Sequence, residues 1–510
     1  MSSSQKHLHV IGIWGIWVSA LARYYKHLGY SVSGSDGSDS PLLDTLRSEG
    51  FAISIGHDEI HLPEHTDLAI YSEAIITKPD LTPEEQIYAN PELAKARDLG
   101  ITHLSYPVAL GLVFDAKQGI AITGSHGKST TTAMTGIMLS YNEVKNEKWK
   151  MKNIWASVIV GTQVPQLENS NFHYEDSEYF VIEACEYKRS FLQYHPYITV
   201  ITNIDLDHLD YYASLEDYIS AFQSLVDQTS GYVIISADDE NSQKLVIPEE
   251  KKIIVGKRMV EGSNDRILDE TDSNSPNLQH SNTPVITYFP RVEEIQDGVM
   301  EIYYTEKEMP IPYMSLQVPG SHLLQDAHLA YAVGRLLGMH DDIIVAKLES
   351  YRGSWRRSEI IRTTKNGNIL MSDYGHHPNE IRPTLRAIRE KYSDKKLFVV
   401  FQPHQYSRTR ELLQEFALSF YDADVLIIPD IYFSRDKQED VEWMTMDRLI
   451  DVLQKTEDRR QKTEKKIIQN GEWLENTAKL IREYDEKNPN SSIILLLGAG
   501  DIDGLRYKIL

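Results

Sequence analysis

The segment AITGSHGKSTTTAM, residues 121–134, is the strongest constraint on what this chain can become. An apolar run, Gly119-Ile120-Ala121-Ile122-Thr123, leads into Gly124-Ser125-His126-Gly127-Lys128-Ser129-Thr130, and a Thr- and Ala-rich stretch with no immediate breaker follows. That order predicts a strand, a glycine loop and a helix start, the pattern of a phosphate-binding loop. Gly124 and Gly127 let backbone N–H groups turn inward around phosphate oxygens, because glycine accepts dihedrals that a Cβ forbids. The helix N-terminus adds partial positive charge. In such a loop Lys128 reaches the β- and γ-phosphates and Ser129 places a hydroxyl on Mg²⁺. A nucleoside triphosphate is the expected ligand.

At 510 residues the chain exceeds a single core, and its length suggests about three domains. Asp and Glu total 75 against 52 Lys and Arg, a net charge of −23. So acidic a chain is a poor general ligand for nucleic acid or an anionic membrane. A phosphorylated substrate then needs a local basic site or Mg²⁺. The single Cys185 excludes an internal disulfide and fits a reducing compartment. No stretch approaches a membrane span, and MSSSQKHLHVIGIW reads as a first strand rather than a signal peptide, so a cytoplasmic location is expected.

Three α/β blocks follow in order. Residues 1–115 open with LHVIGIWGIW, SALARYYKHLGY and SVSGSD: strand, glycine turn, helix, then a second strand ending in Asp36. That is a Rossmann-like start. LAIYSEA reads as a strand ending at Ser72, and NPELAKARDLGI as a helix opened near Asn90-Pro91. Residues 116–350 carry the phosphate loop, the strands EYFVIEACEY and YITVI, and helical patterns such as LEDYISAFQSLV, so a mostly parallel sheet is expected. NEVKNEKWKMKN and the polar run over 258–285 read as loops or insertions. Residues 351–510 alternate four strands, NILMSDY, KLFVVFQP, VLIIPD and SIILLLGAG, with helices such as PNEIRPTLRAIREKY. The charged run at 457–466 reads as a solvated helix face.

Polar residues cluster where these strands end, and open α/β sheets place ligands there. Glu183-Ala184-Cys185-Glu186 closes an apolar strand, and beside a phosphate loop one of its glutamates is a candidate metal ligand. Asp205, Asp207, His208 and Asp210 follow another strand. Their spacing is not that of an EF-hand, and His208 suits a second metal or a phosphate, with Asp205 and Asp210 open to turn or N-cap roles. Paired Arg356 and Arg357 can clamp phosphate oxygens. Asp373-Tyr374-Gly375-His376-His377-Pro378 and Gln402-Pro403-His404-Gln405-Tyr406-Ser407-Arg408 end two further strands, and only one of the adjacent histidines can face a given pocket.

The ordered set HVIGI, SGSD, SYPVALG, TGSHGKSTTTAM, EACEYKRSFL, ITNIDLDHLDYY, PGSH, YRGSWRRSEI, DYGHHPNEI, FQPHQYSRTR and LLLGAGDI resembles the Mur ligase family over nearly the whole length. DYGHHP together with FQPH is most similar to its L-alanine-adding branch. The resemblance implies three domains: a UDP-sugar-binding domain (1–115), a central ATP-binding domain (116–350) and an amino-acid-binding ligase domain (351–510). It implies ATP-dependent joining of L-alanine to the lactyl carboxylate of UDP-N-acetylmuramate through an acyl phosphate, in peptidoglycan precursor synthesis. It implies ATP and Mg²⁺, no nucleic-acid or membrane partner, and a monomer or homodimer. The UDP-sugar site would fall to Gly12, Gly15, Ser19, Asp36 and Ser72. ATP would meet Gly124, Ser125, His126, Gly127, Lys128, Ser129, Thr130, Arg357 and Asp373, the last at the ribose. One Mg²⁺ would sit on Ser129 and Glu183 and a second on His208, while His376 and Arg408 would serve the amino acid.

Two departures from the family pattern stand out. Its first loop is glycine-rich, whereas this chain reads Gly12-Ile13-Trp14-Gly15-Ile16-Trp17, and an indole at 14 or 17 opposes close approach of a diphosphate to the backbone. Either the UDP site is altered, or a UGA codon read as glycine in the cell has been written as Trp, with Trp155 a third such position. Leu323 and Asp326 stand where the family usually has Asn, which can both donate to and accept from an adenine edge. The alternatives are a sister ligase that recycles a tripeptide onto the same nucleotide sugar, and a catalytically silent nucleotide-binding homologue.

Overall fold

The computed structural model describes residues 5–76, 82–140, 154–208, 211–257, 290–292, 300–304, 314, 316, 318, 321–434, 436–455, 464–467 and 473–509. The expected insertions at 142–153 and 258–285, and Asp210, lie outside the described residues. Among those described, no helix is long and apolar enough to cross a membrane. The fold is α/β, built on three mostly parallel sheets.

The first sheet contains β1 (His7–Ile11), β2 (Ser31–Asp36), β3 (Ala52–Ile55), β4 (Leu68–Tyr71) and β5 (Thr102–Ser105). All pairings are parallel, in the order β3-β2-β1-β4-β5. This Rossmann-like order reverses between β1 and β4, which opens a crevice at their C-terminal ends. Gly12 follows β1 and Ser72 follows β4, so both sit at that crevice.

The second sheet contains β6 (Gln118–Thr123), β7 (Ala156–Val164), β8 (Ser170–His173), β9 (Tyr179–Glu183), β10 (Ile198–Ile201), β11 (Tyr232–Ser236), β12 (Lys252–Lys257), β13 (Pro290–Val292) and β14 (Met300–Tyr304). Its order is β13-β14-β12-β11-β10-β6-β9-β7-β8. The buried strand β6 lies between β10 and β9, parallel to both. The phosphate loop leaving β6 is therefore flanked by the segments that leave β10 and β9. Hydrophobic periodicity placed these strands because they are central and apolar on both faces.

The third sheet contains β15 (Glu359–Thr363), β16 (Ile369–Asp373), β17 (Lys396–Phe401), β18 (Val425–Ile428), β19 (Glu464–Ile467) and β20 (Ser492–Leu497), in the order β15-β16-β20-β17-β18-β19. It has two strands more than the sequence reading expected. Both are edges: β15 pairs antiparallel with β16, and β19 pairs parallel with β18. The expected solvated helix over 457–466 is corrected at its end, since residues 464–466 belong to β19, and 457–463 lie outside the described residues. An edge strand tolerates Glu464, Lys465 and Lys466 because its pairing is made by backbone, and charge there blunts further pairing.

The chain forms two compact units. One comprises Met1–Val255, Val292–Ile302 and His328–Leu348; the other comprises Gly256–Arg291, Tyr303–Ala327 and Glu349–Leu510. In the first unit one hydrophobic cluster joins Leu8, Val10 and Leu21 of the N-terminal part to Ile159, Phe180, Ile182 and Ile201 of the second sheet. Tyr24, on the helix Ile16–His27, stacks on Phe180 of β9 with ring centroids 5.2 Å apart. In the second unit alternate residues divide between two faces: Val399 and Phe401 join one cluster, Phe398 and Val400 the other. That is the period-two signature of a sheet covered on both sides.

Candidate active site

The phosphate loop takes its shape from two glycines and from the strand beside it. Gly124 has φ +132° and Gly127 φ +81°, both in territory that favours glycine. A Cβ on Gly124 would also meet Asn203 O at 2.8 Å. Gly127 is the N-cap of the helix Lys128–Met138. The segment after β10 laces the loop: Asn203 Oδ1 accepts from His126 N–H at 3.0 Å, while Asn203 Nδ2 and Thr202 Oγ1 donate to His126 O at 3.0 and 2.5 Å. Ser125 donates to Asp205 O at 2.6 Å and accepts from Asp205 N–H at 2.8 Å. His126 lies 3.4 Å from Asp205. Ser125 is therefore held by the segment after β10. Thr130 is buried in the first turn of the helix.

Two glutamates face this loop and do different things. Glu183, the last residue of β9, accepts the Ser129 hydroxyl at 2.9 Å on Oε1 and the Gly161 N–H at 2.9 Å on Oε2. Glu186 lies deeper. Lys128 Nζ is 3.0 Å from its carboxylate, His208 Nε2 is 3.2 Å away, and Tyr218 donates to it at 3.4 Å. Burial opposes the ionised form of Glu186, but Lys128 and His208 outweigh it and hold the carboxyl below the usual range. Burial likewise opposes the Lys128 ammonium, and Glu186 raises its pKa above the ordinary lysine value. Burial pushes the thiol of Cys185, the residue before Glu186, up to about 12, so it is no thiolate nucleophile at neutral pH. His208 sits on a turn with φ +56°, its ring centroid 4.8 Å from that of Tyr187.

Four of the five residues expected at the UDP-sugar site meet at the β1/β4 crevice. Gly12 has φ +77°, its N–H donates to Ser35 O at 2.9 Å, and a Cβ there would lie 2.8 Å from Ser72 Cβ. Gly15 caps the helix Ile16–His27, and Asp36 Oδ2 accepts the Trp14 N–H at 2.8 Å. Ser72 caps a short helical turn through Ala74 N–H. Ser19 stands apart: it is fully buried, donates to Ile16 O and accepts from Asn171 Nδ2 at 3.0 Å, tying its helix to β8. The two indoles also part company. Trp14 is 49% exposed, whereas Trp17 packs over Gly161. A Cβ on Gly161 would lie 2.7 Å from Trp17 Cη2 and 2.9 Å from Glu183 Oε2. Trp155 has the Lys347 ammonium 6.0 Å from its ring centroid.

In the second unit the paired arginines separate. Arg356 is buried and its guanidinium donates to Gly498 O and, at 3.0 Å, to Gly500 O. Arg357 lies 4.8 Å from the Tyr374 ring centroid. Asp373 accepts the Ser358 N–H at 2.7 Å on one oxygen and the Gly375 N–H at 2.8 Å on the other. Burial raises its carboxyl above the usual range, against the opposing pull of Arg357 and those amides. His377 caps the helix Pro378–Lys391, its side chain accepting from Asn379 N–H. His376 sits 3.2 Å from Glu380 and 6.1 Å, centroid to centroid, from His404. Arg408, buried, approaches His404 Nδ1 and O at 3.5 Å, and His404 stacks on Tyr432. Leu323 and Asp326 are buried in the helix Ser321–Leu336.

Sequence reasoning quoted Thr202, Asn203 and Tyr218 inside longer motifs but gave them no role, and it did not single out Gly161. Asn203, the residue next to a strand end, was the one with a usable signal: a small amide beside a phosphate loop.

Family models match three consecutive stretches: the Mur ligase family catalytic domain over residues 7–118, the Mur ligase middle domain over 122–333, and the Mur ligase glutamate ligase domain over 356–500. The chain is 33% identical over 515 residues to the UDP-N-acetylmuramate–L-alanine ligase of Clostridium botulinum strain Hall, covering all of this chain and 97% of that one. It is 36% identical over 454 residues to the enzyme of the same name from Clostridium novyi strain NT, covering 88% and 87%. Its fold matches the crystal structure of the Thermotoga maritima UDP-N-acetylmuramate–alanine ligase with a TM-score of 0.71, at 23% identity and 99% and 98% coverage. A murein peptide ligase from Psychrobacter arcticus matches with a TM-score of 0.62, at 20% identity and 99% and 98% coverage. Matched over its length by three domain models in the expected order, this chain belongs to the Mur ligase family.

Proposed function

We propose that this chain is an ATP-dependent ligase that joins L-alanine to the lactyl carboxylate of UDP-N-acetylmuramate, a step in peptidoglycan precursor synthesis that takes place in the cytoplasm. The observation that carries this is the phosphate loop with Lys128 and Ser129 set against Glu183 and Glu186, in a chain similar along its whole length to ligases of that name. A carboxylate is a poor electrophile. Transfer of the γ-phosphoryl group of ATP to a carboxylate oxygen gives ADP and an acyl phosphate. The amine of L-alanine then adds to the carbonyl carbon, and the tetrahedral intermediate loses phosphate and a proton to leave the amide.

In this reading the protein supplies position and charge. Lys128 and the loop N–H groups hold the transferred phosphate. Hard oxygen donors are what Mg²⁺ takes, and the Ser129 hydroxyl and Glu183 carboxylate, 2.9 Å apart, fit that requirement; a second ion would draw on His208, a nitrogen donor and so a less typical ligand for Mg²⁺. Bound Mg²⁺ would supply Lewis-acid neutralisation of charge on the reacting oxygens. Arg357 would contact phosphate and Asp373 the adenosine ribose, while His376 and Arg408 would receive the amino acid. A buried guanidinium suits the alanine carboxylate. Gly12, Gly15, Asp36 and Ser72 would receive the UDP-sugar.

Phosphate release with ATP, Mg²⁺ and UDP-N-acetylmuramate, with and without L-alanine, tests the proposal. Alanine-dependent release is expected. A strict requirement for a tripeptide amine would reassign the chain to peptide recycling, and nucleotide binding without turnover on any acceptor would make it a silent homologue.

A further inference from the structure

We infer that Glu186 is a positioning residue: its carboxylate occupies Lys128 until a nucleotide phosphate takes its place, and it keeps His208 aimed at the same point. This rests on the nucleotide-site reading above and goes beyond it. A lysine ammonium has three donors. Here they meet Gly124 O at 2.6 Å, Ser125 O at 3.0 Å and Glu186 Oε1 at 3.0 Å. Every donor is used, and Glu186 is the anion among the three acceptors. An arriving phosphate competes for the same charge.

The cluster is larger than one ion pair. Both carboxylate oxygens lie 3.0 Å from Lys128 Nζ, and Oε1 also receives His208 Nε2 at 3.2 Å and the Tyr218 hydroxyl at 3.4 Å. Tyr218 lies 3.0 Å from Ser125 Oγ, and the Tyr212 hydroxyl donates to the Glu186 carbonyl. Glu186 has no exposed surface. A buried pair of this kind adds little net stability over an apolar isostere. What it does provide is place: the loop lysine, the His208 turn and the helix Leu215–Gln228 all converge on one carboxylate.

Glu186→Gln keeps the side-chain shape and removes the charge. Calorimetric titration of ADP without Mg²⁺ should show binding about tenfold tighter than in the wild type, the worth of one charge-assisted hydrogen bond that no longer has to be exchanged. Turnover should fall, because Lys128 and His208 lose their common anchor. A merely structural role predicts weaker binding, never tighter. Glu186→Asp withdraws the carboxylate by one methylene and should tighten binding about threefold on the same logic, so it carries the test if the Gln variant does not fold. Asp217→Asn removes a charge from the helix Leu215–Gln228 at a residue that pairs with Arg189 at 2.6 Å, and should leave ADP affinity close to the wild-type value. The inference is overturned if wild type binds ADP and neither Glu186 variant binds it more tightly, or if Asp217→Asn tightens binding as much. Wild type that binds no ADP would remove the nucleotide-site reading itself, a separate outcome.

Discussion

Trp14 and Trp17 lie three residues apart, yet the structure gives them different weights. Trp14 points half its surface to solvent and meets Asp36 through its backbone N–H, a bond that any residue except proline could make. Trp17 lays its indole on Gly161, next to the carboxylate that holds Ser129. In the proposed reaction the acceptor carboxylate must reach the phosphate loop, and the indole lies beside the glutamate that holds Ser129. Trp17→Gly should therefore lower KM for the nucleotide sugar or raise turnover by an order of magnitude, and Trp14→Gly should do so much less. Losing a half-buried indole and placing glycine in a helix should also lower stability by about 2 kcal/mol. Steady-state kinetics on both variants, with a thermal melt, decide it; equal responses would mean that neither indole restricts the acceptor. The loop itself was legible in the sequence because its glycines and Lys128 are contiguous. The partner that matters, Gly161, has no local signal, since a glycine in a strand reads the same whether it faces solvent or an indole.

Among elements, the helix Pro91–Asp98 is fixed to the first sheet by a buried polar chain rather than by apolar packing alone. Glu92 has no exposed surface, and its carboxylate receives His9 at 2.7 Å, the Ser35 hydroxyl at 2.7 Å and His57 at 2.8 Å. Burial opposes the ionised Glu92, but His57, His9 and Ser35 together hold its carboxyl below the usual range. Its contribution is thus present above pH about 4.5 and fades as pH falls through the lowered value. The hydrogen bond to Glu92 outweighs burial at His57 and raises its pKa, so that contribution is full below pH about 6.5 and fades as pH rises through the raised value. His57→Gln should cost on the order of 1 kcal/mol at pH 6, discounted for partial exposure, and distinctly less at pH 8. Urea melts at the two pH values measure this, and a pH-independent difference would show that His57 is not charged in the cluster. The helix and its Asn90 cap were legible from NPELAKARD, because capping is local. The chain of contacts was not, since it brings together His9 of β1, Ser35 of β2, His57 of the loop after β3 and Glu92 of the helix. The two edge strands of the third sheet were hidden for a different reason: EIIRT and EKKI lack the long apolar run by which buried strands announce themselves.

At the scale of the molecule, three sheets resolve into two compact units. Sequence grammar counts α/β blocks, but stability follows shared cores, and the first two sheets share one. Leu21 and Tyr24 of the first block lie in the same cluster as Phe180 and Ile182 of the second, with Tyr24 against Phe180 at an interplanar angle of 14°. Removing residues 1–115 would strip that face of its cover. The third sheet keeps its own two clusters, one on each side. Calorimetry should therefore resolve two transitions and not three. Phe180→Ala, which empties the shared core, should destabilise its unit by about 3–5 kcal/mol and lower one transition alone. Leu495→Ala, fully buried in β20, should cost about 2–5 kcal/mol and lower the other. For bodies of this size each kilocalorie corresponds to about 2–4 °C, so both shifts are measurable. If Phe180→Ala instead split a third transition from the first, the N-terminal sheet would be an independent domain and the shared core a contact between neighbours; if either variant moved both transitions together, the two bodies would unfold as one.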